Sequence, residues 1–419
     1  MGFPLSKTVN NHSANMWRKD FPIFDQSAAQ PLAFMDSAAS AQKPRAVLDA
    51  MDNVASGHYA NIHRGLYSFS QQTTSAYEAA RHTIAAFINA ASDNEIIFTR
   101  NTTEAINLVA QSWGCANIQF GDEILITEME HHANIVPWAM IAEQLGATLK
   151  YIPVNDDTTL DLTALPALVT ARTKIFACTQ VSNATGVIND VQALIAQVKA
   201  LNADIVTLVD ASQSIVHQKT DVQNIGADFL VFTGHKLYGP SGIGVLWGRE
   251  VLLNAMPPYQ GGGDMIETVS LKSGITYKAA PARFEAGTPA ILEAIGLAAA
   301  VDYIESIGLD AISSLEHELY LYMREQAGQI DGLTFYGDVD AAQKAPIISF
   351  TADWAHVSDI ATILDQCGVA VRSGHHCAMP LMERLCIEGT VRASLAMYST
   401  ADDVDQLIAG LKKAYRLLG

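Results

Sequence analysis

The chain has 419 residues, 49% of them apolar, which is enough for a large buried core and a prior of two or three domains. Charges interrupt every apolar run before it reaches membrane-spanning length, which argues against a membrane protein. A formal net charge of -18 leaves no overall basic face for nucleic acid or an anionic membrane, because neutralising phosphates needs clustered lysine and arginine.

The elements follow in chain order. Residues 1–6 (MGFPLS) match the myristoylation pattern, but without a polybasic companion the match is read as coincidence. No signal-peptide core follows, and residues 7–20 are polar and expected to be mobile. Short β-branched runs at 95–99, 123–127, 174–177, 204–209 and 229–233 predict buried strands, with helices between them such as 162–169 and 191–201. That rhythm predicts an α/β fold with a mostly parallel sheet wrapped by helices, whose ligands sit beyond the carboxyl ends of the strands. Each run is followed at once by special residues: 100–103, 130–134, 182–183, 210–213 and 234–236. The triplet Gly261 to Gly263 marks a loop. A long alanine-rich helix at 290–307 precedes a change of texture, with strands at 333–336, 346–350 and 369–372 and helices at 357–366 and 401–418. This predicts a smaller C-terminal α/β domain. The division is an N-terminal segment (1–27) joining the small domain, a large domain (28–304) and the small domain (305–419).

Two stretches carry chemistry. TGHKLYGP (233–240) sets Lys236 just beyond a buried strand, where desolvation favours a neutral amine able to form a Schiff base. SGHHCAM (373–379) sets Cys377 directly after two imidazoles, which with loop N–H groups favour the reactive thiolate. An amine and a thiol wanted together point to sulfur abstraction from an amino acid held as an imine on pyridoxal phosphate. Thr102 and Thr103 open a helix expected at 104–111, whose positive end suits a phosphate. The five cysteines, Cys115, Cys178, Cys367, Cys377 and Cys386, are odd in number and form no CxxC, so a disulfide framework, a thiolate zinc site and an oxidising compartment are not indicated. A cytoplasmic location is expected. Glu130, His131 and His132, and His375, His376 and Cys377, contain possible metal ligands, but adjacent residues point apart and lack the i, i+4 spacing that aims two imidazoles at one ion. No strand is followed by GxGxxG, which disfavours a nicotinamide enzyme.

TGHKLYGPSGIGVLWG, MEHHANIVPW, RFEAGTP, and RSGHHCAMPLM followed by RASLAMYST resemble the pyridoxal-phosphate cysteine desulfurases of the SufS type, within the class V aminotransferases. The resemblance implies fold type I, a large domain with a mostly parallel seven-stranded sheet, and a homodimer. It implies that Lys236 holds the cofactor and moves the Cα proton, that Asp210 pairs with the pyridinium nitrogen, and that Gln213 bonds the phenolic oxygen. His131 would stack on the ring, while Thr102, Thr103, Thr233 and His235 would hold the phosphate, with Thr288 donated across the dimer interface. Arg392 matches the arginine for the substrate carboxylate, with Asn183 its neutral partner; His63, Arg64 and Arg372 are further candidates, and His376 supports the loop. Cys377 would take sulfur from L-cysteine, leaving alanine and a persulfide for a sulfur-acceptor protein of the SufE or SufU kind, in iron-sulfur cluster supply.

Two departures stand out: Gln180 occupies a position where the family commonly has histidine, and the first sixteen or so residues have no clear counterpart. Selenocysteine lyase is the nearest alternative, since selenium leaves more readily than sulfur. A class V transaminase or decarboxylase without sulfur chemistry, with L-selenocysteine or L-cysteine irrelevant to it, and a silent assembly scaffold are the others.

Overall fold

A computed structural model describes residues 11–25 and 31–419. The N-terminal lipidation pattern lies outside the described residues. The main sheet has seven strands in the order Ile96–Thr99, Gly244–Gly248, Phe229–Thr233, Val206–Asp210, Thr173–Thr179, Glu123–Thr127 and Thr148–Ile152. Gly244–Gly248 alone runs against its neighbours. The other six share one direction, so Ile96–Thr99 ends at the same edge as the parallel strands.

The central strands read as unbroken apolar runs because both faces are covered. Alternate side chains enter opposite cores: Leu230 and Phe232 pack on one side with Phe176 and Val209, whereas Phe229 and Val231 pack on the other with Ile175 and Leu208. Val191–Leu201 and Ile291–Ile307 are helices as expected, the latter stopping at Gly308, whose φ of 91° only glycine adopts easily. The expected helix at 162–169 is a short 3-10 turn followed by Leu165–Leu168, with Pro166 in its first turn.

The C-terminal sheet is antiparallel, in the order Leu333–Tyr336, Ile347–Ala352, Thr390–Ser394, Arg372–Gly374. The single strand expected at 369–372 is two. Val369–Ala370 pairs parallel with Ala33–Phe34, and the chain then changes partner at Val371, so that Arg372–Gly374 joins Thr390–Ser394. A hairpin, Ile266–Ser270 with Gly274–Tyr277, forms a two-stranded sheet of its own among the described residues and leaves Val269, Leu271 and Ile275 exposed. The sequence reading did not foresee it.

Residues 11–20 correct another expectation. Asn11–Arg18 is a helix, with Ala14 and Trp17 buried. Phe21, four residues beyond Trp17 and fully buried, meets the rings of Tyr398, Tyr238 and Tyr303 edge-on at 4.8, 5.9 and 6.1 Å. Arg18 donates to Asp403 at 2.7 Å and to the Tyr398 and Leu32 carbonyls. Polar composition concealed two aromatics on one face.

Candidate active site

The carboxyl edge of the main sheet and one end of the C-terminal sheet enclose a cavity. It is lined by Thr102, Thr103, His131, Asn183, Asp210, Gln213, Thr233, His235, Lys236, Arg372, Cys377 and Arg392 among others, so twelve of the fifteen residues expected to react or to bind cofactor or substrate converge, and His376 joins them. The other three do not. Thr288 lies at a separate cavity beside Arg100, Glu104 and Gln260. His63 bonds Glu78 at 2.8 Å, and Arg64 bonds Asp264 at 3.0 Å, both outside the main cavity.

Lys236 closes a 3-10 turn, Gly234–Lys236, at the end of Phe229–Thr233. Burial, reinforced by Arg392 and Arg372, lowers its amine to about pKa 8 against the opposing pull of Asp210. The amine makes no hydrogen bond among the described residues, which leaves it available. Asp210 ends Val206–Asp210, and its Oδ1 accepts the Ser212 N–H at 2.9 Å. Gln213 donates to the Ala38 carbonyl at 2.7 Å.

The helix whose first turn lines the cavity begins at Thr102, earlier than expected. Asn101 caps it by accepting the Glu104 N–H at 2.9 Å, and Val109 ends it. Thr102 Oγ1 shares a hydrogen bond with Ser212 Oγ at 2.8 Å, tying this helix to the Asp210 turn. The approach is close: a Cβ on Gly244 would stand 2.6 Å from the Asn101 backbone.

His131 Nδ1 accepts the Ala133 N–H at 3.0 Å, so the neutral ring carries its proton on Nε2. Burial first, then the Lys236 charge, lower it to about 4. Burial likewise lowers His235 to about 4 and His376 to about 3. Glu130, behind His131, is pushed up to about 8 by burial, despite accepting from Thr127, Asn134 and the Thr179 N–H.

Arg372 and Arg392 stand opposite each other in register on adjacent strands. Arg392, 2% exposed, donates to the Asn183 carbonyl at 2.8 Å and to Asp36 Oδ1 at 3.0 Å, while its Nε has no partner among the described residues. Asn183 in turn donates to the His376 carbonyl at 2.6 Å. Sequence reasoning missed Asp36 and gave Ser212 no role; nothing in the local sequence marks either.

Cys377 is half-buried on a tight loop, and both it (φ 57°) and His376 (φ 52°) are left-handed. Such backbone costs a non-glycine residue about 1–2 kcal/mol, so the surroundings must hold it. His376 Nε2 pairs with Thr390 Oγ1 at 2.9 Å, and its buried Nδ1 has no partner among the described residues. Among the described residues, no three His, Cys, Asp or Glu side chains converge as a metal would require.

Two orphaned buried nitrogens, Arg392 Nε and His376 Nδ1, belong to residues lining the same cavity as a free amine and a helix N-terminus. That donor set fits a phosphorylated aldehyde with an anionic substrate, and with the mostly parallel sheet it defines a pyridoxal-phosphate enzyme of fold type I. The chain belongs to the aminotransferase class-V family, whose sequence model matches residues 33–407. It is 51% identical over 403 residues to a cysteine desulfurase of Pectobacterium carotovorum subsp. carotovorum (strain PC1), covering 96% of this chain and 98% of the relative. A cysteine desulfurase of Serratia proteamaculans (strain 568) is 49% identical over the whole of both chains. Among solved structures, the Escherichia coli cysteine desulfurase CsdA in its S-sulfonic acid form is similar with a TM-score of 0.89 and 39% identity, over 97% of this chain and 99% of that one. The apo cysteine desulfurase of Thermococcus onnurineus NA1 gives a TM-score of 0.91 and 39% identity, over 96% and 98%.

Proposed function

We propose that this protein is a cysteine desulfurase that converts L-cysteine to L-alanine and keeps the sulfur as a persulfide on Cys377. One observation carries the reading: an amine near neutrality and a half-buried thiol, on different sheets, line one cavity with a buried arginine. Lys236 would hold the cofactor, with Asp210, Gln213 and His131 around its ring and Thr102, Thr103, Thr233 and His235 around its phosphate. Bound pyridoxal phosphate acidifies the substrate Cα–H and stores the electron pair released there. Lys236 takes and returns that proton, for which burial has lowered its basicity. Arg392 binds the substrate carboxylate through a charge-assisted bond, with Asn183 and Arg372 beside it. Cys377 Sγ attacks the substrate sulfur; the S–S bond forms as the Cβ–S bond breaks, its electron pair stays with carbon, and protonation completes alanine.

The SufS type, a cytoplasmic homodimer in which Thr288 reaches the neighbouring site, and auxiliary places for His63 and Arg64 extend this proposal. So do the three-part division at residues 27 and 304, a sulfur-acceptor protein of the SufE or SufU kind, and a place in iron-sulfur cluster supply. No helix among the described residues is long and apolar enough to cross a membrane.

The test is to incubate the purified enzyme with L-cysteine and reductant and to assay alanine and sulfide together. Equal amounts of both are expected, with mass spectrometry placing the extra sulfur on the Cys377 peptide. Cys377→Ala should stop alanine formation from cysteine while sparing cofactor binding. Alanine formation undiminished in that variant would remove Cys377 from the reaction and favour a class V enzyme without sulfur transfer.

A further inference from the structure

Cys377 is fastened from two sides. The backbone N–H of His132 donates to the Cys377 carbonyl at 2.7 Å, and the Met379 N–H donates to His132 Nε2 at 3.1 Å. One residue of the His132–Asn134 turn therefore brackets the peptide units following the thiol. From within the loop, His375 Nδ1 accepts the Cys377 N–H at 3.0 Å, and the His375 and His132 rings lie 5.6 Å apart with their planes inclined by 31°. Two successive left-handed non-glycine residues would not persist without such fixed partners. His132 does not line the cavity, so it reaches the reaction through what it adjoins: the Cys377 loop, which its backbone and ring both contact, and the neighbouring His131.

We propose that His132 is a positioning residue for sulfur transfer: its Nε2 accepts the Met379 amide and locks the Cys377 loop to the turn that carries His131, keeping Sγ in the cavity. The proposal rests on the reading of Cys377 as the sulfur acceptor. Nε2 must stay unprotonated to accept, and both burial and the neighbouring His375 favour the neutral ring. The backbone bond from His132 survives any side-chain substitution, so replacing the imidazole isolates the Nε2 contact.

The experiment compares the holoenzyme with His132→Ala and with His132→Gln, whose amide oxygen supplies an acceptor near the position of Nε2. Three quantities are read: iodoacetamide labelling of Cys377, persulfide formation on Cys377 during brief exposure to L-cysteine, and the steady-state KM and kcat. In His132→Ala, labelling should become several-fold faster as the loop leaves its half-buried position. Persulfide formation and kcat should fall about tenfold or more, because misplacement by about 1 Å can cost a hundredfold, while KM stays unchanged. His132→Gln should restore both. Opposite movements of labelling and transfer separate loosened positioning from general damage. Unchanged rates in His132→Ala overturn the proposal, as does equal impairment in both variants, which would trace the effect to ring bulk. A wild type that forms no persulfide defeats the desulfurase reading, and the labelling comparison still decides the role of His132.

Discussion

At the scale of single residues, the burial of Lys236, opposed by the nearby charge of Asp210, makes cofactor capture a matter of proton balance. Only the neutral amine attacks an aldehyde, and with a pKa of about 8 it is available far below the range of an exposed lysine. The rate at which the apo chain takes up pyridoxal phosphate, followed by visible absorbance, should therefore rise with pH and level off above about 8. Asp210 favours the protonated amine, so Asp210→Asn should move that profile to lower pH. A profile centred near 10, or one moved upward in the variant, would contradict the arrangement. Lys236 and Asp210 were legible because each stands where an apolar strand gives way to polar groups, and Cys377 because it directly follows two imidazoles. Asp36 was not, since its bond to Arg392 joins residues 356 apart in sequence. Thr288, His63 and Arg64 were marked by resemblance alone, and within one chain they lie elsewhere.

At the scale of elements, the antiparallel Gly244–Gly248 strand sets how closely the capped helix at Thr102–Val109 approaches the lysine turn. Gly244 sits opposite both Thr99 and Thr233, facing the Asn101 backbone with no room for a methyl group. Gly244→Ala should displace the cap and weaken pyridoxal-phosphate affinity markedly while leaving the fold intact, as measured by equilibrium titration and circular dichroism. Unaltered affinity would show that the helix end does not hold the phosphate. This strand escaped the sequence reading because GIGVLWG begins within the glycine-rich run that follows the lysine. Thr390–Ser394 escaped it for a different reason: its five residues are all buried, yet three are polar or charged, and the hydrogen bonds that permit this come from distant segments. By contrast, 357–366 and 401–418 were readable to the residue; in the structure the latter opens on a Thr400 and Asp403 capping box.

At the scale of the whole molecule, the segment from the N-terminal helix to Phe21 is a fastening between regions remote in sequence. Phe21 is fully buried among rings from residues 238, 303 and 398. Phe21→Ala should cost about 3–5 kcal/mol, the usual range for deleting a buried phenyl ring, and lower the denaturation midpoint of the entire chain. A loss below about 1 kcal/mol would mean that the segment is peripheral, since surface changes stay within about half that figure.

Arg372, Arg392 and Lys236, set against the carboxylates of Asp36 and Asp210, concentrate positive charge at the cavity of a protein whose formal net charge is -18. An anionic ligand in bulk solvent meets the repulsive far field first and the attractive near field only at the cavity. Ionic strength acts unequally on the two, because the Debye length is about 10 Å at 0.1 M salt and buried charges are screened much less. Added salt should therefore speed the association of pyridoxal phosphate and leave its dissociation nearly constant, the reverse of the behaviour of a protein that draws anions in from afar.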